Sequence, residues 1–207
     1  MLRSLPLVAL LFVTGCKKDK DGEFWKWVGA HVTELKLVKT GDEPVVDELS
    51  AELGKAAPGL VFELGVGTDP FEFIISADGM KDRFDDVKRL TGAAPAIAGL
   101  KVIAFRPRKE IDGFEMHLGD LKLAADEVKY LGSAEKDGKL SLDLYIDGYS
   151  ATTEDAVKRA GFVLLDSAIG EFDMETRIGG IEFHGAPAPA GAKPLPALPA
   201  ELDALKK

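Results

Sequence analysis

The spacing of apolar residues most constrains the fold of this chain. In some segments every third or fourth residue is apolar, and in others every second residue is. Val128 and Tyr130 alternate with polar residues on one side of Asp137-Gly138. On the other side, every second residue from Leu140 to Ile146 is apolar. Asp-Gly between two alternating segments is typical of a tight turn joining antiparallel strands. The sequence therefore predicts a β-hairpin over residues 126–147.

The same reading predicts helices and strands for the rest of the chain. Apolar residues at helical spacing predict four helices, over about 22–38, 43–56, 80–92 and 153–168. Short apolar or alternating segments predict further strands over 60–66, 71–76, 100–105, 114–118 and 172–183. This order does not alternate as a series of βαβ units would. It favours an α+β fold, a single domain with a mainly antiparallel sheet covered by helices on one face.

The N-terminal segment is typical of an export signal. Arg3 precedes an apolar segment from Leu5 to Val13, which is shorter than the roughly 20 residues that span a bilayer. The residues Val13-Thr14-Gly15-Cys16 resemble the lipobox of bacterial lipoproteins. The resemblance implies removal of residues 1–15, diacylation of the Cys16 thiol and acylation of the new N-terminus, commonly with palmitate. Lys17 stands where an aspartate would signal retention in the inner membrane, so the outer membrane is favoured.

The residue composition divides the processed chain into three parts, and its net charge and cysteine content exclude several functions. Residues 16–22 form a lipidated, charged tether, residues 23–185 a globular domain, and residues 186–207 a Pro/Ala-rich tail expected to be extended and mobile. Within this tail Leu198, Leu202 and Leu205 could form a last helical turn or two. With 26 basic and 35 acidic residues the net charge is −9, which disfavours nucleic-acid binding. Cys16 is the only cysteine, so disulfides and thiolate metal sites are excluded.

An acidic segment near the end of the domain is one candidate site. Strand alternation would place Glu171, Asp173 and Glu175 on one face, with Asp166 nearby. Three carboxylates on one face could bind a divalent cation or serve acid–base chemistry. They could equally be a solvated face or pair with Arg177. The three histidines lie far apart in the sequence, and no metal site is predicted from them.

A basic segment is the second candidate. Arg106, Arg108 and Lys109 form the densest group of cations on an otherwise acidic chain. They could hold a carboxylate or phosphate ligand, or pair with acidic neighbours such as Glu110. Gly65-Val66-Gly67 lacks the third glycine and the following helix of a dinucleotide loop, so no cofactor is predicted.

Several segments resemble bacterial proteins whose function is not established. They are Phe24–Trp27, Ile75–Gly79, Ala93–Pro95, Ala104–Arg108, Leu165–Asp166, Gly170–Asp173, Glu175–Gly179 and Ile181–Phe183. The resemblance spans roughly residues 23–184 and implies a single domain, with no activity to transfer.

We therefore expect a non-catalytic, lipid-anchored envelope protein that presents a charged sheet face to a protein or a small ligand. The alternative is a metal-assisted hydrolase in which Glu171, Asp173 and Glu175 converge with one histidine. A toxin-neutralising or assembly module is a third possibility, because an acidic surface can steer a basic partner.

Overall fold

The structure is a computed structural model that describes residues 19–118 and 121–205. The predicted signal, Cys16 and the beginning of the tether lie outside the described residues. The described helices are α1 (Lys20–Leu35), α2 (Pro44–Ala56), α3 (Phe84–Gly92), α4 (Glu154–Ile169), α5 (Glu171–Arg177) and α6 (Leu198–Ala204). The described strands are β1 (Val61–Gly65), β2 (Phe71–Ser76), β3 (Leu100–Ala104), β4 (Glu115–Leu118), β5 (Leu121–Ala124), β6 (Lys129–Ala134), β7 (Leu140–Ile146), β8 (Ile178–Gly185) and β9 (Lys193–Pro194). The predicted α+β class is confirmed.

The first half of the described chain builds a three-stranded sheet in the order β1-β2-β3. β1 and β2 are antiparallel, whereas β3 lies parallel to β2 because α3 intervenes between them. Helices α1 and α2 pack together and bury Phe24, Trp25 and Leu49 in this half. The indole of Trp25 donates a hydrogen bond of 2.8 Å to the Leu90 carbonyl in α3, so this large aromatic side chain is buried without leaving a polar atom unpaired.

The second half builds a four-stranded sheet in the order β8-β7-β6-β9 and a small β4-β5 hairpin. The predicted hairpin is confirmed, since β6 and β7 are antiparallel neighbours flanking Asp137-Gly138. Along β7 buried side chains alternate with half-buried ones from Leu140 to Ile146, as the sequence pattern requires. Helix α4 contributes Val157, Leu164 and Leu165 to the same core.

The apolar interior is divided into two cores rather than built on one sheet. The first contains residues from Phe24 to Phe105, and the second contains residues from Ile111 to Leu202. Each core has its own sheet and its own helices. The short segment 105–111, which carries the predicted basic residues, passes from one core to the other.

Residues 171–177 form a helix, so the first half of the strand predicted over 172–183 is wrong, whereas its second half is confirmed by β8. Gly170, at φ +79°, separates α4 from the short helix α5. Phe172 and Met174 are too few apolar positions to distinguish a period of two from a helical one. In a helix Asp173 and Arg177 lie one turn apart, where they form an ion pair of 3.7 Å. The predicted shared face of Glu171, Asp173 and Glu175 therefore does not exist.

The two ends of the described chain are also more ordered than the sequence predicts. Asp19 accepts a hydrogen bond of 3.0 Å from the Gly22 backbone and begins α1, so residues 20–22 are helical rather than tether. In the predicted tail Leu195, Leu198 and Leu202 are fully buried in the second core. Burial of these periodically spaced leucines stabilises the folded state more than the surrounding prolines favour an extended chain. None of the described helices is both long enough and apolar enough to cross a membrane.

Candidate functional site

The predicted basic and acidic segments meet at the junction between the two cores. The backbone N–H of Glu171 donates to the Arg106 carbonyl at 3.0 Å, and the N–H of Arg106 donates to the Glu171 carboxylate at 3.0 Å. The N–H of Lys109 donates to the Ser167 carbonyl at 2.7 Å. The end of β3 is thereby joined to the corner between α4 and α5.

Glu171 is a buried carboxylate that holds this junction together. It is 1% exposed, and one of its oxygens accepts hydrogen bonds from the backbone of Ala77 at 2.9 Å and Gly79 at 3.4 Å. Its second oxygen accepts the bond from Arg106. With three backbone donors satisfied, this carboxylate has a structural role, because a buried ion needs such partners.

Arg108 and Asp173 form a second connection, which reaches the C-terminal helix. The Arg108 guanidinium donates to the Ile169 carbonyl at 3.1 Å and to both Asp203 oxygens at 2.8 Å, and it also pairs with Asp173. The hydrogen bonds to Asp203 and Asp173 raise the pKa of Arg108. The same pairing lowers the pKa of Asp203. Arg108 and Asp173 are thus engaged within the protein.

Gly170 is the backbone position on which this junction depends. Its φ of +79° and ψ of 153° lie in a region that is essentially restricted to glycine. A Cβ here would lie 3.1 Å from both the Arg106 carbonyl oxygen and the Arg108 nitrogen.

We expect Gly170→Ala to lower the free energy of unfolding by about 3 kcal/mol, through backbone strain and the crowding of backbone atoms. Gly41→Ala is the matched control, because Gly41 has a φ of +88° and open space around its Cβ position. Urea unfolding of the two variants should therefore separate strain from crowding. Equal destabilisation of both would contradict a close approach at Gly170.

Beside the junction lies an open cleft of about 410 Å³, which we call the junction cleft. Its charged lining consists of Glu63, Asp78, Arg106, Lys109, Asp166 and Glu175. Arg106 is shared among three carboxylates, at 2.9 Å from Asp78, 3.2 Å from Asp166 and 3.7 Å from Glu63. Phe162, Val163 and Met174 form its apolar lining.

Two of these carboxylates have a raised pKa. Burial raises the pKa of Asp166, the charge of Arg106 opposes this, and the charge of Glu171 adds to it. Burial also raises the pKa of Glu175, opposed by Lys81 and reinforced by Glu171 and Asp166. Such shifts are concentrated at functional sites. The open cleft and its two shifted carboxylates together make the junction cleft a candidate functional site.

The sequence analysis found part of this cleft. Arg106, Lys109 and Glu175 were predicted as candidates and lie in the lining, as does Asp166, named beside the acidic segment. Glu171 is buried in the junction, and Arg108 and Asp173 pair at a separate cleft of about 610 Å³. Glu63 and Asp78 were missed. Glu63 lies within a strand and Asp78 at a turn, and neither position carries a local signal for a site shared with residues as distant in sequence as Asp166 and Glu175.

A separate group of side chains has the donor atoms for a metal ion. Asp143, Glu182 and His184 place one ligand atom each within 4.8 Å of one another on β7 and β8. His184 Nε2 lies 2.9 Å from Asp143. Among the described residues this is the one group of three such donors, and it contains neither Glu171 nor Glu175. This group differs from the site in the metal-assisted hydrolase hypothesis, in which Glu171, Asp173 and Glu175 converge with a histidine.

The assignment of the junction cleft is based on its geometry and charge. Comparisons with protein-family models, with curated proteins and with solved structures found no match to this chain.

Proposed function

We propose that this protein is a lipid-anchored protein of the bacterial envelope, and that its α+β domain is a non-catalytic interaction module. The lipobox-like residues Val13–Cys16 support the anchor. The junction cleft carries the proposal of an interaction module. The cleft is open to solvent, and its lining combines charged and apolar side chains. It lies beside Glu171 and Arg106, whose contacts stabilise the fold.

The contacts of Glu171 and Arg106 favour a structural role for these two residues over a catalytic one. A general acid or base must reach a reacting atom by a hydrogen bond, but Glu171 already accepts three backbone hydrogen bonds. Arg106 is likewise surrounded by Asp78, Asp166 and Glu63. A protein or small-ligand partner fits the cleft, whereas the net charge of −9 disfavours nucleic acid.

We expect Cys16→Ser to release the protein from the membrane fraction, because acyl chains contribute about 0.8 kcal/mol per buried CH₂ and two or more chains anchor stably. Fractionation followed by intact-mass measurement tests this, with Ser4→Ala as the control that keeps the cysteine. The wild-type chain should begin at Cys16 and carry lipid mass. An unlipidated wild-type chain that retains residues 1–15 would contradict the anchor.

The non-catalytic part of the proposal has its own test. The purified full chain is expected to show no turnover on panels of ester, phosphate and glycoside substrates. Turnover that is lost in Glu175→Gln but kept in Glu34→Gln, an exposed glutamate on α1, would assign an enzymatic role to the junction cleft and overturn this part.

A further inference from the structure

We infer that the junction cleft binds a basic amphipathic segment of a partner protein. In this arrangement a lysine or arginine of the partner enters the cleft beside Asp166 and Glu175, and its apolar neighbours cover Phe162 and Val163. The inference extends the proposed interaction module by naming the surface and the class of partner.

The charges that line the cleft favour binding of a cationic group. Four carboxylates face two cationic side chains, since Arg106 is shared by Asp78, Asp166 and Glu63, and Lys109 lies 3.7 Å from Glu63. Glu175 forms no ion pair or hydrogen bond with any described residue. The charge of Lys81 acts on Glu175 from outside the cleft lining but forms no ion pair with it. An incoming ammonium or guanidinium group would therefore find a carboxylate that no described cation pairs with directly.

The apolar lining favours contact with apolar side chains of the partner next to its cationic group. Phe162 and Val163 are 44% and 52% exposed, and both line the same cleft on one turn of α4. The Phe162 ring packs against Phe183 at 5.2 Å between ring centres, which fixes its position. Neighbouring exposed apolar residues beside a charged cleft mark an interaction surface more than scattered ones do.

These two properties together select the occupant. A metal ion or a small amine would satisfy the carboxylates but leave Phe162 and Val163 in water. An anionic lipid surface would be repelled by the excess of carboxylates. A basic amphipathic segment matches both, because its cationic residues complement the carboxylates and its apolar face covers the aromatic side chain.

The experiment uses the full processed chain, held in neutral-lipid nanodiscs if it carries lipid and in buffer otherwise. The probe is a fluorescent helical peptide of lysine and leucine with adjoining basic and apolar faces, and its binding is measured by anisotropy after subtraction of empty nanodiscs. We expect saturable binding that weakens with added salt. Glu175→Gln and Phe162→Ser should each raise Kd about tenfold, the loss of one well-formed contact.

Matched variants elsewhere on the surface control for general charge and hydrophobicity. Glu34→Gln removes an exposed glutamate from α1, and Phe114→Ser removes a phenylalanine that is 46% exposed before β4. Neither residue lines the junction cleft, so both variants should bind like wild type. Absent saturable binding, equal binding of a peptide with glutamate in place of lysine, or no effect of Glu175→Gln and Phe162→Ser would overturn the inference. None of these results depends on the membrane fractionation or on the turnover assay.

Discussion

Ending the chain at Ala192 is expected to lower the free energy of unfolding by at least about 6 kcal/mol, because three fully buried leucines are lost and each Leu→Ala change alone costs about 2–5 kcal/mol. The truncation removes Leu195, Leu198 and Leu202 from the second core and also β9 from its pairing with β6. Domains of this kind are stable by roughly 5–15 kcal/mol. The truncated chain should therefore lose its cooperative urea transition or show a much lower midpoint.

A point variant keeps this prediction testable if the truncated chain does not fold. Leu202→Ala should cost about 3 kcal/mol, whereas Leu37→Ala, at a leucine that is 71% exposed, should stay within about 0.5 kcal/mol of wild type. Equal midpoints for the wild-type and truncated chains would show that the last residues form an extended tail, as their composition predicts.

Replacing Glu171 by alanine should be the most damaging single substitution at the junction. It leaves the backbone N–H groups of Ala77, Gly79 and Arg106 without their acceptor. Unpaired buried donors cost about 1–3 kcal/mol each, so we expect a loss of about 4 kcal/mol for Glu171→Ala. Thermal and urea unfolding followed by circular dichroism would measure this loss.

Two further variants identify the cause of that loss. Glu171→Gln keeps one acceptor oxygen and should therefore be less damaging than Glu171→Ala. Glu182→Ala removes a glutamate side chain that is 78% exposed and should change stability by no more than about 0.5 kcal/mol. If Glu171→Ala proved as mild as Glu182→Ala, the carboxylate would not be holding the junction.

Much of the fold was predictable because its signals are local. The alternation from Leu140 to Ile146 specifies β7, and Asp137-Gly138 specifies the turn that joins it to β6. The helical spacing of Phe24, Val28 and Leu35 specifies α1 in the same way, and all three residues are buried. Such elements need only their own residues to be recognised.

Other features depend on contact between distant segments, which no local pattern reveals. The α5 helix is placed by Glu171, whose hydrogen bonds reach Ala77 across 94 residues. Leu195, Leu198 and Leu202 are held in place by packing in the second core, which the composition of the tail does not predict. For the same reason the basic and acidic candidates were found separately, although Arg106 and Glu171 contact each other directly.

The placement of Leu202 and Asp203 against earlier elements has a consequence for biogenesis. The buried apolar residues of the first core lie within 24–105 and those of the second within 111–202. A chain that emerges N-terminus first therefore delivers all the buried apolar residues of the first core before the second core can close. Until its last helix emerges, the later half exposes the apolar surface that Leu195, Leu198 and Leu202 will cover. During synthesis this half is therefore the part that depends most on protection from aggregation.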